Sequence, residues 1–247
     1  MYREFRPAPH LERFVECYWH RQDSCAQPRH CVLPDGCSDI LFTGEKLAFV
    51  GLMTRPLESP IAADARFFGI RFRPGMASAF LMREQAVATD SFVTLDRAAE
   101  RRLGEQLAEA RDPIEMVARA EAYLGSPAYQ PPPVLAALTA LANAGEPLER
   151  VIETTGASPR HLRRLCQEHA GVSPKFLSRI LRFRQAVERL RKQRPQAAWA
   201  DFAAVCGYFD QAHMIREFQE FAGVSPGRFV QSLLDESRLE SSHEFQT

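Results

Sequence analysis

Two stretches, His161-Leu-Arg-Arg-Leu-Cys-Gln-Glu-His-Ala-Gly-Val-Ser-Pro174 and His213-Met-Ile-Arg-Glu-Phe-Gln-Glu-Phe-Ala-Gly-Val-Ser-Pro226, stand a constant 52 residues apart and share nine of 14 positions. A duplication this clear implies two copies of one structural unit. Each copy has the parts of a helix-turn-helix. In the first, Leu148–Ile152 begins a short helix and Gly156 supplies the turn, where positive φ is expected. Ser158 is placed to cap the next helix, with Pro159 at its first position. That helix runs to Gly171, with Leu162, Leu165 and Cys166 facing inward. In the second copy, Ala200–Cys206 is the first helix, Gly207 the turn and Asp210 the cap. Met214, Phe218 and Phe221 face inward. Ser173-Pro174 and Ser225-Pro226 then start the helix that follows each copy, over Pro174–Arg191 and Pro226–Leu234.

Working outward, Gln130-Pro131-Pro132-Pro133 cannot continue a helix and reads as a stiff connector. Val134–Ala144, just after it, is apolar and Ala-rich. From Asp235 the chain is polar, acidic and aperiodic, so 235–247 is expected to be a flexible tail. Before the connector the signals are mixed. Leu11–Trp19 has apolar residues at 11, 14, 15, 18 and 19, a helical spacing. Cys31–Leu33, Asp39–Phe42, Leu47–Gly51 and Phe67–Phe72 read as short strands, the first two separated by a turn at Pro34-Asp35-Gly36. Arg97–Ala110 and Pro113–Leu124 read as amphipathic helices. Their apolar faces suit either a dimer contact or packing within the chain. The expected class is α+β: a β-rich barrel- or sandwich-like domain with flanking helices over 1–130, then an all-α domain over 134–234.

The 247 residues carry zero formal net charge and 45% hydrophobic residues, enough for a real core. The zero conceals an asymmetry. Ser158–Arg194 holds 11 basic residues against two acidic. Such a block on helices suits a polyanion, although a solvated helix face would also account for it. The N-terminus has charges and no apolar run, and no stretch of 18 apolar residues occurs, so a cytoplasmic location and no membrane association are expected.

Gly156-Ala-Ser158, His161-Leu162, Arg164, Gly171-Val-Ser-Pro174 and Arg182 with Ala186 form one combined pattern with Cys206-Gly-Tyr-Phe-Asp210, Arg216, Phe218 and Gly223-Val-Ser-Pro226. This pattern, over roughly Glu146–Leu234, resembles the arabinose-regulator (AraC/XylS) family of bacterial transcription factors. Leu177 stands where an aromatic residue is usual in the family, and Phe202–Val205 replaces the usual Ile-Ala-containing run. The resemblance implies seven helices in two subdomains. The long helix Pro174–Arg191 would hold two readers at one face of DNA, whose neighbouring major grooves lie about 34 Å apart. Leu33-Pro34-Asp35-Gly36-Cys37, Val50-Gly51 and Arg71-Phe72-Arg73-Pro74-Gly75, with Leu11 and Tyr18-Trp19, resemble an N-terminal domain often found before such DNA-binding domains. A sensor-like role is implied.

A recognition helix presents its outward N-terminal residues to base edges. On the first helix these are Arg160, Arg163, Arg164 and Gln167; arginine can bind guanine O6 and N7 with two parallel hydrogen bonds. On the second they are Gln211, Ala212, Ile215 and Arg216. Gln211 could pair with adenine and Ile215 could touch a thymine methyl. Lys175, Arg179, Arg182 and Arg184 on the long helix suit phosphate or structural contacts. The repeated His161 and His213 suit packing and capping rather than ligation. The expected partner is double-stranded promoter or operator DNA. RNA polymerase, a small-molecule effector and a second copy of the chain are further partners such a regulator could take.

Other chemistry is thinly supported. Cys17, Cys25, Cys31 and Cys37 fall within 21 residues, near His10, His20 and His30, but without a CxxC pair, so no metal site is assigned. A thiol- or metal-reactive or alkyl-acceptor regulator is the alternative, since it needs an activated thiolate. An architectural DNA-binding protein without an effector is a third reading. Gly69, Gly75 and Gly104 make no phosphate loop, so no catalytic residues and no cofactor are expected. Trp19, Phe67, Phe68, Phe72, Phe80 and Phe92 could line an apolar effector pocket, or simply fill a core.

Overall fold

A computed structural model describes residues 1–23, 25–81, 88–127, 129–144, 146, 148–192 and 198–233. The expected tail 235–247 lies outside them.

The N-terminal part is built on strands β1 (Tyr2–Phe5), β2 (Val15–Gln22), β3 (Gln27–Val32), β4 (Ser38–Phe42), β5 (Leu47–Val50), β6 (Leu57–Ile61), β7 (Arg66–Phe72) and β8 (Phe92–Leu95). Six of them form one antiparallel sheet in the order β1-β2-β7-β4-β5-β8, while β3 and β6 pair as a separate ribbon. Alternation decides the faces. Ile40 and Phe42 on β4, and Phe68, Ile70 and Phe72 on β7, are buried, and Ile70 sits opposite both Tyr18 and Ile40. Gly69 has a packing reason: a Cβ there would fall 2.1 Å from the Trp19 indole, whose Nε1 donates to Asp39 at 2.7 Å.

The helix expected over Leu11–Trp19 does not form. A single turn, closed by Phe14 N–H and Val15 N–H donating to the Leu11 carbonyl, leads into strand β2. The register of β2 against β7 shifts between Val15 and Cys17, and Cys17 and Tyr18 are both buried. A bulge of this kind breaks strict alternation and imitates helical spacing. Strands β1, β6 and β8 were not expected either. β1 and β8 end the sheet, and β6 lies in the ribbon and carries Pro60, a residue strands tolerate mainly at edges.

Two helices follow, α1 (Ala98–Glu109) and α2 (Pro113–Leu124). Their apolar faces, Leu103 and Leu107, then Met116, Ala120 and Leu124, are buried within the chain. Intramolecular packing therefore accounts for both faces without a second copy.

From 133 onward every described element is helical: α3 (Pro133–Asn143), α4 (Leu148–Thr155), α5 (Pro159–Ala170), α6 (Pro174–Lys192), α7 (Trp199–Val205), α8 (Gln211–Ala222) and α9 (226–233). These are seven helices among the described residues. The axis is α6, which buries Leu177, Ile180, Leu181, Phe183, Ala186, Val187 and Leu190.

The two parts share one continuous core. The loop Asp35-Gly36-Cys37 lies against α6. Gly36 has φ +82°, and a Cβ there would come within 3.0 Å of Leu181 Cδ2, with Leu177 and Ile180 beyond. Both the conformation and the space select glycine. Beside it, Arg184 of α6 reaches across to Glu16 of β2, Nη1 to Oε2 at 3.1 Å, with a second contact from Nη2 to Oε1. The Cys37 thiol donates to Glu16 at 3.2 Å. Burial disfavours the charged Glu16 carboxyl, but hydrogen bonding and attraction from Arg184 overcome this and hold its pKa at about 2. A second bridge joins Ser78 Oγ to His169 Nδ1 of α5 at 2.8 Å, and the Tyr129 ring stacks on His169.

Candidate nucleic-acid interface

Local chemistry sets both reading helices in the same way. Gly156 has φ +65° and Gly207 φ +75°, so each turn uses the left-handed backbone that glycine adopts without strain. Ser158 Oγ accepts from His161 N–H at 3.2 Å, and Asp210 Oδ1 accepts from His213 N–H at 2.6 Å. Each satisfies one orphan donor of a helix N-terminus. At the other ends, Gly171 and Gly223 take left-handed φ values of +72° and +71°, as helix C-terminal glycines do.

The buried faces follow the expected pattern. Leu162, Leu165, Cys166 and His169 of α5 point inward, as do Met214, Glu217, Phe218 and Phe221 of α8. The opposite face of α5 presents Arg160, His161, Arg163, Arg164 and Gln167, all exposed, and with Ser158 and Glu168 they line one shallow depression. Arg164 is tied to Glu168 at 2.9 Å and to His161 Nδ1 at 3.3 Å. Gln167 Nε2 donates to the Gly171 carbonyl at 2.9 Å. Arg160 and Arg163 have no hydrogen-bond or ion-pair partner among the described residues, so both guanidiniums are free to meet a ligand.

On α8, Gln211, Ala212 and Arg216 are exposed and Ile215 is half-exposed. Two further residues of this face escaped the sequence reading. Gln219 is exposed, and applying the 52-residue offset to Gln167 would have found it. Phe209, the residue before the cap, is 91% exposed. His213 is half-buried and is held by Phe209 N–H, which donates to its Nδ1 at 3.4 Å, and by Glu217 at 3.3 Å. His161 does not pack as expected: it is exposed, because its position falls on the outward face of α5, and its ring meets Arg164.

The basic residues of the long helix divide between an exposed lysine and arginines held in structural contacts, one of the two roles expected of them. Lys175 is exposed. Arg179 binds Glu217 at 2.8 Å and also Glu220, and its guanidinium stacks over Phe176 and Phe221. Arg182 binds Glu217 at 2.9 Å and stacks over Tyr208. Arg184 is spent on Glu16. These three arginines hold the protein together rather than face outward, because carboxylates from other helices and strands reach them first. Phosphate contact by Arg179 and Arg182 would require breaking those pairs.

The alternative sites are poorly built. Burial pushes the Cys17 thiol up to about 12 and Cys37 well above its usual value, so neither is an activated thiolate. Cys25 and Cys31 are exposed. Among the described residues no three His, Cys, Asp or Glu side chains gather as a metal would need. Phe68 and Phe72 lie in the sheet core, with Phe80 packed on Phe14 and Phe72, and Phe92 is exposed. No described helix is long and apolar enough to cross a membrane.

Among solved structures, an apo ToxT variant from Vibrio cholerae has a TM-score of 0.46 at 8% identity, covering 93% of this chain and 100% of that one. ToxT from Vibrio cholerae O395 has 0.44 at 9% identity, over 94% and 97%. Likeness at this level fixes neither ligand nor partner. No curated protein matches significantly. Residues 3–94 match the family model described as a domain of unknown function (DUF6597), and residues 151–232 match that described as a helix-turn-helix domain. The two capped helices α5 and α8 lie within that second span, so residues 151–232 are a helix-turn-helix domain of the arabinose-regulator (AraC/XylS) type behind an N-terminal DUF6597 domain, and the chain that carries them is a DNA-binding transcription regulator.

Proposed function

We propose that α5 and α8 enter adjacent major grooves on one face of a duplex, and that residues 1–130 sense an effector and bias the domain over 134–234. One observation carries the groove assignment. Two helices, each with a glycine turn before it, a capped start and exposed N-terminal residues, flank one long helix, α6. Arg160 and Arg163 would read guanine, and Arg164, Lys175 and Arg216 would contact bases or phosphate.

The contacts of α6 and α5 with the N-terminal part support the sensing role. An effector can act only through differential affinity for two arrangements. The Gly36 loop, the Glu16–Arg184 pair and the Ser78–His169 bond supply a route by which such a difference reaches the readers.

Selection of bound sequences from random DNA by the full chain tests the groove assignment. The expected result is a bipartite site whose elements lie about 10–10.5 base pairs apart, with affinity that falls steeply with salt as counterions are released. A single-element site, or affinity indifferent to salt, would overturn it.

A further inference from the structure

The 52-residue offset places different chemistry at matching positions of the two readers. Arg160 corresponds to Ala212, Arg163 to Ile215 and Ala157 to Phe209. In the second unit all three positions are apolar, and none is taken into the core. Phe209 is 91% exposed; Ala212 is exposed and Ile215 half-exposed. Folding leaves a phenylalanine ring in water, where it contributes no burial.

Its place is fixed nonetheless. Gly207 makes the turn, Phe209 N–H donates to the His213 ring, and Asp210 caps α8 immediately afterwards. Positions 209, 212 and 215 keep a three-residue spacing, so the apolar strip is continuous with the outward face of α8 and begins at the end that meets base edges. The thymine C5-methyl is the apolar group that base pairs present in the major groove.

We infer that the second reader selects thymine-containing DNA through its methyl groups, with Phe209, Ala212 and Ile215 forming the contact, while the first reader selects guanine. This rests on the groove assignment proposed above. The operator is then chemically asymmetric: a guanine-bearing element under α5 and a thymine-bearing element under α8.

The test uses the full chain and a selected bipartite site in which single thymines are replaced by deoxyuridine, a change that removes only the methyl. Replacement under α8 should weaken binding about fourfold for each methyl buried, and replacement under α5 should change nothing. Phe209→Ala should lower affinity for the thymine site and lose nothing further on the deoxyuridine site, since both changes remove the same contact. The exposed ring makes no core contact, so an unchanged melting temperature is expected alongside. Bipartite binding that ignores deoxyuridine under α8 would overturn this inference and leave the groove assignment standing. Absence of bipartite binding would overturn both.

Discussion

The two reading units share a scaffold but anchor it differently. At one matching pair of positions α5 has Leu165 and α8 has Glu217, both buried. At another, α5 has His169 and α8 has Phe221. The second reader thus places its buried carboxylate against the rod, where Arg179, Arg182 and His213 converge on it. Its aromatic ring packs with Phe176 and Phe183. The first reader packs apolar groups inward and turns His169 toward Ser78 and Tyr129 of the preceding part. A duplicated unit keeps its turns and caps, and substitutions at the buried positions choose its neighbour. The second reader is clamped to the long helix; the first is in contact with the N-terminal half.

Breaking the first reader should have the largest effect. Arg160→Ala with Arg163→Ala removes two guanidiniums that the fold does not use, and loss of about 1–3 kcal/mol for each bidentate base contact predicts a fall in operator affinity of roughly thirtyfold or more. Fluorescence anisotropy titrations would read this, together with a loss of guanine preference. Identical profiles for variant and parent would remove the reader assignment.

The clamp comes next. Glu217→Ala leaves Arg179 and Arg182 facing each other without their shared carboxylate. Because both guanidiniums keep some access to water, and Glu220 remains for Arg179, the cost should sit below the full buried-pair value, at about 2–3 kcal/mol. Urea unfolding would measure it. A loss under 1 kcal/mol would show that aromatic packing alone holds α8 on the rod.

The junction between the two parts has its own signature. Glu16 is ordinarily half-protonated near pH 4.5 and is held at about 2 here. A depressed carboxylate adds stability above its unfolded pKa and loses it as pH falls through the folded value. Glu16→Gln should therefore cost about 2 kcal/mol at pH 7, and the gap between variant and parent should close between about pH 4.5 and 2. A gap independent of pH would mean that the Arg184 pair contributes little. This variant probes the coupling better than deleting residues 1–130, because deletion would bare the surface of α6 that Gly36 covers.

The caps should give the smallest effects. Ser158→Ala and Asp210→Ala are each expected to cost about 1 kcal/mol. The charged Asp210 should cost the more of the two, since a carboxylate also favours the positive end of the helix dipole. Thermal unfolding of both variants would show whether that order holds.

How far these elements could be read beforehand varies along the chain. The repeat, both turns, both caps and the outward positions of α5 and α8 follow from local rules, and the helix ends fall within a residue or two of expectation. Strands β4 and β5 alternate cleanly and β7 is rich in aromatic and β-branched residues, so all three were legible. β2 was not, because its bulge lets Cys17 and Tyr18 both be buried. β1, β6 and β8 were missed because edge strands need bury only one side. The basic block over Ser158–Arg194 is also only partly free charge. Three of its arginines are neutralised by partners 35 to 168 residues away in the chain, a separation that no charge window registers.

Sequence by itself determined the duplicated helix-turn-helix units, because periodicity, capping and glycine turns act over a few residues, where composition and spacing carry the physics. Only the tertiary structure decided which arginines stay free, that His169 of the first reader meets Ser78, and that Phe209 is left in water. Those outcomes depend on which distant side chains packing brings within hydrogen-bonding reach.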